Sequence, residues 1–179
     1  MGLLRNASLA AALVAGPLAA QGNMMKLSPD WEYVADTVMG GVSEGQLSVM
    51  EFEGGTAKRL HGTVSLDNNG GFIQMAFDLA DGAVFDALEW RGIELTFQGN
   101  SNTYEIRLRT DQLQRPWQSY RAMIETTSEW QTLRLPWTSF APHRTEAPFD
   151  PARLRRIGVL AIGSEMVADV SVAEIGFYR

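Results

Sequence analysis

The chain contains no cysteine, which excludes disulfides, zinc–thiolate sites and thiol catalysis together and fits either redox compartment. Histidine is nearly as scarce, with His61 and His143 the only two. Neither stands in an H-E-x-x-H or comparable spacing, so no metal site is expected. No basic run is present: 15 Lys and Arg face 21 Asp and Glu, a formal net charge of −6. Such a chain is poorly suited to nucleic acid or to an anionic membrane surface. The glycines do not open helices as they do in phosphate-cradling loops, so no cofactor is expected either. Long helical periodicity, internal repeats and low-complexity tracts are also missing.

Long apolar runs are lacking too, apart from one near the start. Ala7 to Ala20 is apolar and alanine-rich, Arg5 is the only charge before it, and Ala20 and Gly22 close it with small residues. That is the layout of a secretory signal peptide. Gly16 and Pro17 interrupt the run, and it is too short for a membrane span. The expected organisation is a signal peptide over residues 1–22, cut after Ala20 or Gly22, and a single domain over residues 23–179. Loss of Arg5 takes the net charge from −6 to −7. Without a cysteine there is no lipoprotein anchor, so the expectation is an exported, periplasmic protein with no membrane insertion after the signal is removed. A translation start at Met24 or Met25 would instead leave the protein in the cytoplasm.

What the sequence does have is a period of two. Ile73, Met75 and Phe77 alternate with Gln74, Ala76 and Asp78; Ile93, Leu95 and Phe97 do the same, as do Tyr104, Ile106 and Leu108. Each run is a strand with one face on a core. Less regular runs at 31–35, 46–50, 60–66, 120–125, 130–135, 157–162 and 170–178 bring the expectation to about ten strands. Asp67-Asn68-Asn69-Gly70-Gly71 and Gly99-Asn100-Ser101-Asn102 have the chemistry of hairpin loops. Phe140–Pro151, with three prolines, reads as an irregular crossing loop, and Asp150-Pro151 can cap a short helical turn. The fold class is all-β, with two packed sheets.

Gly41-Val42-Ser43-Glu44-Gly45 matches the G-x-S-x-G pattern of a nucleophile elbow. That chemistry needs a strand, a sharp turn and then a helix, whereas a strand-like run follows here. The match reads as coincidence, and a hydrolase is the weakest functional reading. Glu51 and Glu53, expected on one face of a strand, and Asp67 beside Asn68 and Asn69 contain the carboxylates a glycosidase or a calcium loop would use. On an acidic protein they read first as solvated charges. Aromatic residues offer a better lead: Trp117, Tyr120, Trp130 and Trp137 crowd into one third of the chain, near Arg107, Arg109 and Arg121. Such a set forms either core or a platform for a glycan or protein partner. Arg107 and Arg109 share the strand face opposite Tyr104, Ile106 and Leu108, where they can pair with Glu94, Glu105 or Glu125. The candidate binding residues are therefore Arg107, Arg109, Trp117, Tyr120 and Arg121, with no catalytic residue.

Four blocks, taken in order, carry a family resemblance. The first runs from Trp31-Glu32-Tyr33 through Asp36-Thr37-Val38-Met39-Gly40-Gly41-Val42-Ser43, and the second from Gly62 through Asp67-Asn68-Asn69-Gly70-Gly71-Phe72. The third is Ser119-Tyr120-Arg121-Ala122 with Glu129 to Pro136, and the fourth is Asp150-Pro151 leading into Arg156-Ile157-Gly158. Together they resemble the complex I intermediate-associated protein 30 family. The resemblance implies a jelly-roll β-sandwich similar to galactose-binding domains, a non-enzymatic binding or assembly role, and no catalytic residue. Its signature turns are Asp36, Met39, Gly40, Gly41, Ser43, Asn68, Asn69, Gly70 and Gly71. For an exported protein the leading expectation is binding of a protein partner or glycan. The alternative is an assembly factor for a respiratory membrane complex.

Overall fold

The alternating runs form a two-sheet sandwich in the computed structural model, which describes residues 24–179; the expected signal peptide lies outside the described residues. One sheet has the spatial order β3 (Glu44–Phe52), β4 (Gly55–Val64), β12 (Met166–Tyr178), β6 (Gly92–Gly99) and β9 (Gln131–Pro136), with β1 (Met24–Lys26) added along β12. The other runs β10 (Ala141–His143), β8 (Ser119–Glu125), β7 (Thr103–Thr110), β11 (Leu154–Ile162), β5 (Phe72–Asp78) and β2 (Glu32–Ala35). Every pairing within the sheets is antiparallel. All ten expected strands are present. The two additional ones, β1 and β10, are three residues long, too short for a period of two to reveal them.

The core lies between the sheets and follows the alternation. Ile73, Met75 and Phe77 of β5, Ile106 and Leu108 of β7, Val159 of β11, and Ile93, Leu95 and Phe97 of β6 are all buried. In β12 the phase changes: Val170 and Val172 point inward, and then Ile175 and Phe177 do. A register shift against β6 between Val172 and Glu174 explains this, because one extra residue in a strand turns the next side chains to the other face.

Three loops depart from the sequence reading. The Asp67–Gly71 turn joins β4 to β5, which belong to different sheets, and Gly99–Asn102 joins β6 to β7 in the same manner. Both are crossings from sheet to sheet rather than hairpins, since turn chemistry sets local dihedrals and not the strand's next partner. The tight hairpin is at Glu53-Gly54, between β3 and β4, where both residues have positive φ, as the mirror-image hairpin turn requires. Glu53 is thus a turn residue and does not share a strand face with Glu51. Asp150 caps the short helix Pro151–Arg153 by accepting from the amide of Ala152 at 3.0 Å, as expected.

Candidate functional site

The first and second signature blocks meet at one carboxylate. Asp36 is fully buried, and its two oxygens accept from the Ser43 amide (3.0 Å), the Ser43 hydroxyl, the Gly71 amide (2.6 Å) and the Phe72 amide (3.2 Å). Burial alone pushes this carboxyl up. The hydroxyl of Ser43 and the three amides outweigh it and hold the group below the ordinary aspartate value. Ser43 Oγ also accepts from the Ser65 amide at 2.9 Å, tying in the end of β4. The glycines follow from this crowding. A Cβ on Gly41 would sit 2.3 Å from the Asp36 carboxyl carbon, and one on Gly70 would sit 2.5 Å from its Oδ2. Gly40, in open space, is needed instead for its φ of +90° as it ends the turn Asp36–Met39. Asn68 and Asn69 take the left-handed conformation in the facing loop. Ser43 is thus 1% exposed, bonded to a carboxylate, and followed by a strand. Its place is in a joint between the sheets, with no opening toward a substrate.

The outward face of the second sheet holds a groove of ≈ 730 Å³. Its shape comes from the register. Arg121 of β8 stands opposite Arg107 of β7, which stands opposite Gly158 of β11, and Gly158 faces Ala76 of β5. Two long side chains followed by two of the smallest make a trough in mid-sheet. Val34, Val38, Met39 and Leu160 supply one apolar side, and Trp117, His143 and Arg144 contribute to the other. Val38 and Met39 belong to the Asp36 turn, so the buried joint also positions part of the groove wall.

The groove is cationic on an acidic protein. Five guanidiniums line it: Arg107, Arg109, Arg121, Arg144 and Arg156. Glu105 accepts from Arg107 Nε at 2.7 Å and from Arg121 at 3.0 Å, while Arg156 reaches Asp78 (2.7 Å) and Glu32 (2.9 Å). Among the described residues Arg109 has no carboxylate partner. It donates to the backbone oxygens of Pro116 (3.0 Å) and Arg115 (3.1 Å), holding the loop that carries Trp117. Burial, then the positive charges of Arg156 and Arg155, press Arg109 below the ordinary arginine value, with Asp78 opposing them. The imidazole of His143 is likewise lowered, first by burial and then by Arg107 and Arg121.

Of the candidates read from sequence, Arg107, Arg109, Trp117 and Arg121 come together in this groove, along with Met39, Asn69, Gly70 and Gly71. Tyr120 does not. It is fully buried beneath the sheet, with its hydroxyl placed to donate to the backbone oxygens of Ala147 and Pro148. Its neighbour Arg121 takes the outward side, as alternation demands. Trp117 is 48% exposed. Trp130 packs against Phe52 with the rings tilted by 58°, and Trp137 packs among Phe140, Phe149 and Phe177 while donating to the Trp90 oxygen at 2.7 Å. Glu94 pairs with Arg134 on the opposite sheet, away from the groove. Sequence reasoning missed Arg156, Arg144, His143 and Leu160 as groove residues. Arg156 was visible as one side of the Arg156/Gly158/Leu160 alternation, but only the strand order brings that side beside β7. Among the described residues no group of three acidic, histidine or cysteine side chains is placed to hold a metal. No described helix is long and apolar enough to cross a membrane.

Comparison with known proteins agrees with this architecture. The sequence model described as Complex I intermediate-associated protein 30 matches residues 22–170. No curated protein matches the chain at significant sequence similarity. Among solved structures, a family 11 carbohydrate-binding module from Clostridium thermocellum, in complex with a β-1,3-1,4-mixed-linked tetrasaccharide, superposes with a TM-score of 0.69. The two are 14% identical over 87% of this chain and 95% of that one. A family 30 carbohydrate-binding module from a cellulosomal cellulase of the same organism gives 0.63 at 15% identity, over 88% and 98%. At so low an identity the superpositions show a shared fold, a jelly-roll β-sandwich.

Proposed function

The chain belongs to the complex I intermediate-associated protein 30 family, and on that footing we propose that it is a non-catalytic binding domain whose outward groove holds a glycan. The observation that carries this reading is the groove itself. A trough of ≈ 730 Å³ has a half-exposed tryptophan at one wall and several convergent N–H donors, the combination of flat apolar surface and directional polar groups that sugar rings require. Support comes from solved modules of the same fold, one of which was determined with an oligosaccharide. The signal-like segment before Gly22 supports an exported location, where extracellular or periplasmic glycans are met. The one serine in a nucleophile-like pattern is committed to Asp36.

A second reading, an assembly factor for a respiratory membrane complex, is favoured by the family match alone. Location separates the two, because an exported protein does not reach the cytoplasmic arm of such a complex. N-terminal sequencing of the native protein and affinity capture from periplasm and membranes test both at once. A mature start near residue 23 and saccharide binding that Trp117→Ala abolishes are the expected results. A start at Met24 or Met25 with capture of respiratory-complex subunits would replace the glycan reading by the assembly one.

A further inference from the structure

Within the groove a smaller recess of ≈ 70 Å³ lies over Gly158 and Ala76. Three guanidiniums, those of Arg107, Arg109 and Arg156, line it together with Ser119, and among the described residues no carboxylate does. Each arginine has donors left over. Arg107 commits only Nε to Glu105, Arg156 commits its two terminal nitrogens to Asp78 and Glu32, and Arg109 gives two N–H groups to backbone oxygens, out of the five each guanidinium carries. Ser119 is 2% exposed, and its hydroxyl has no hydrogen-bond partner among the described residues. A buried orphan hydroxyl beside three partly unspent guanidiniums is an arrangement that water or a ligand must complete. The recess has the volume of about two water molecules, taking ~30 Å³ each, which suits one planar or tetrahedral oxyanion.

The charge count points the same way. Five guanidiniums line the groove and three carboxylates pair with them, so two positive charges are uncompensated on a protein whose net charge is −6. Arginine is the residue suited to bidentate recognition of carboxylate, sulfate and phosphate. Resting on the glycan reading above, we propose that the recess is an oxyanion site and that the groove takes an acidic saccharide. The sugar's carboxylate or sulfate ester sits among Arg107, Arg109, Arg156 and the Ser119 hydroxyl, and its ring lies toward Trp117.

Isothermal titration of residues 23–179 with four probes tests this. They are an oligogalacturonate for the carboxylate, a dextran sulfate oligomer for the sulfate, a neutral mixed-linked β-glucan oligomer, and poly-glutamate as the acidic-peptide control. At least one charged saccharide binds, more weakly as salt is raised, and Arg109→Gln weakens it at least about ten-fold. Gly158→Ala, which fills the recess without changing charge, does the same and serves if Arg109→Gln is too unstable to assay. Neutral glucan binding as tightly as the charged oligomers, or charged binding indifferent to both variants, overturns the oxyanion site and leaves the glycan reading standing. Poly-glutamate binding alone, or no binding by any probe, overturns both.

Discussion

The Asp36 joint and the arginine groove are neighbours, and each is built around charged side chains, but they are opposites in hydrogen bonding. Asp36 is sealed from solvent and accepts from four donors, so its charge is satisfied by the protein alone. The groove keeps donors in hand: among the described residues Arg109 has no acidic partner and the Ser119 hydroxyl has none at all. A fully satisfied buried charge rigidifies, whereas unspent donors on a concave face are available to a ligand. The contrast also explains why the most recognisable stretch of sequence is structural. Gly41, Ser43, Gly70 and Gly71 all touch or donate to the Asp36 carboxylate, and Gly40 is fixed beside them by its positive φ.

Breaking the joint therefore affects stability first. Replacing Asp36 with Ala leaves the Ser43, Gly71 and Phe72 donors buried without an acceptor. The expected loss is about 3–5 kcal/mol, read as a fall in Tm of roughly 6–20 °C for a domain of this size. Gly41→Ala and Gly70→Ala force a methyl against that same carboxylate and cost about 1–3 kcal/mol each. Gly40→Ala meets no neighbour and is strained only through its positive φ, for about 1 kcal/mol. Gly40→Ala and Gly41→Ala variants that both melt like the parent would refute this account of the turn.

Acid titration sharpens the comparison. The Asp36 carboxyl is lowered in the folded protein relative to an unfolded value of about 3.9. Its contribution is accordingly present above that value and vanishes as pH falls through the lower folded pKa. The stability gap between the parent and Asp36→Asn, measured by urea melts, is expected to be full at neutral pH and to shrink below about pH 4. A gap that stays constant to the acid limit would mean that the carboxylate's charge is irrelevant. The smallest effect belongs to the groove: Trp117→Ala removes a half-exposed ring and should move stability by less than about 0.5 kcal/mol. A large loss of Tm there would make Trp117 a packing residue and remove it from the proposed recognition surface.

Much of this molecule was legible from pattern alone. Alternation located ten strands and put Arg107 and Arg109 outward, because a strand's side-chain period is a local property of the backbone. Asp150 before Pro151 foretold its cap for the same reason. The Tyr120/Arg121 pair shows where local reading stops: both were candidates, and only knowing which side of β8 meets the core sends Tyr120 inward and Arg121 to the groove. The hairpin reading of Asp67–Gly71 was overturned on similar grounds, since Asn and Gly specify dihedrals but not which sheet receives the next strand.

Pattern and composition thus fix an all-β sandwich, ten of the twelve described strands, the absence of cysteine chemistry, and a signature turn rich in glycine around Asp36. Why those glycines are required follows from the folded chain alone. Gly41 and Gly70 are 29 positions apart in the chain and meet at one carboxylate across the junction of two sheets. The folded chain also decided the groove. Strand order sets β11 between β7 and β5, so Gly158 and Ala76 hollow the sheet beside the arginines. Contacts between distant strands depend on pairing, and pairing is fixed by the whole core at once.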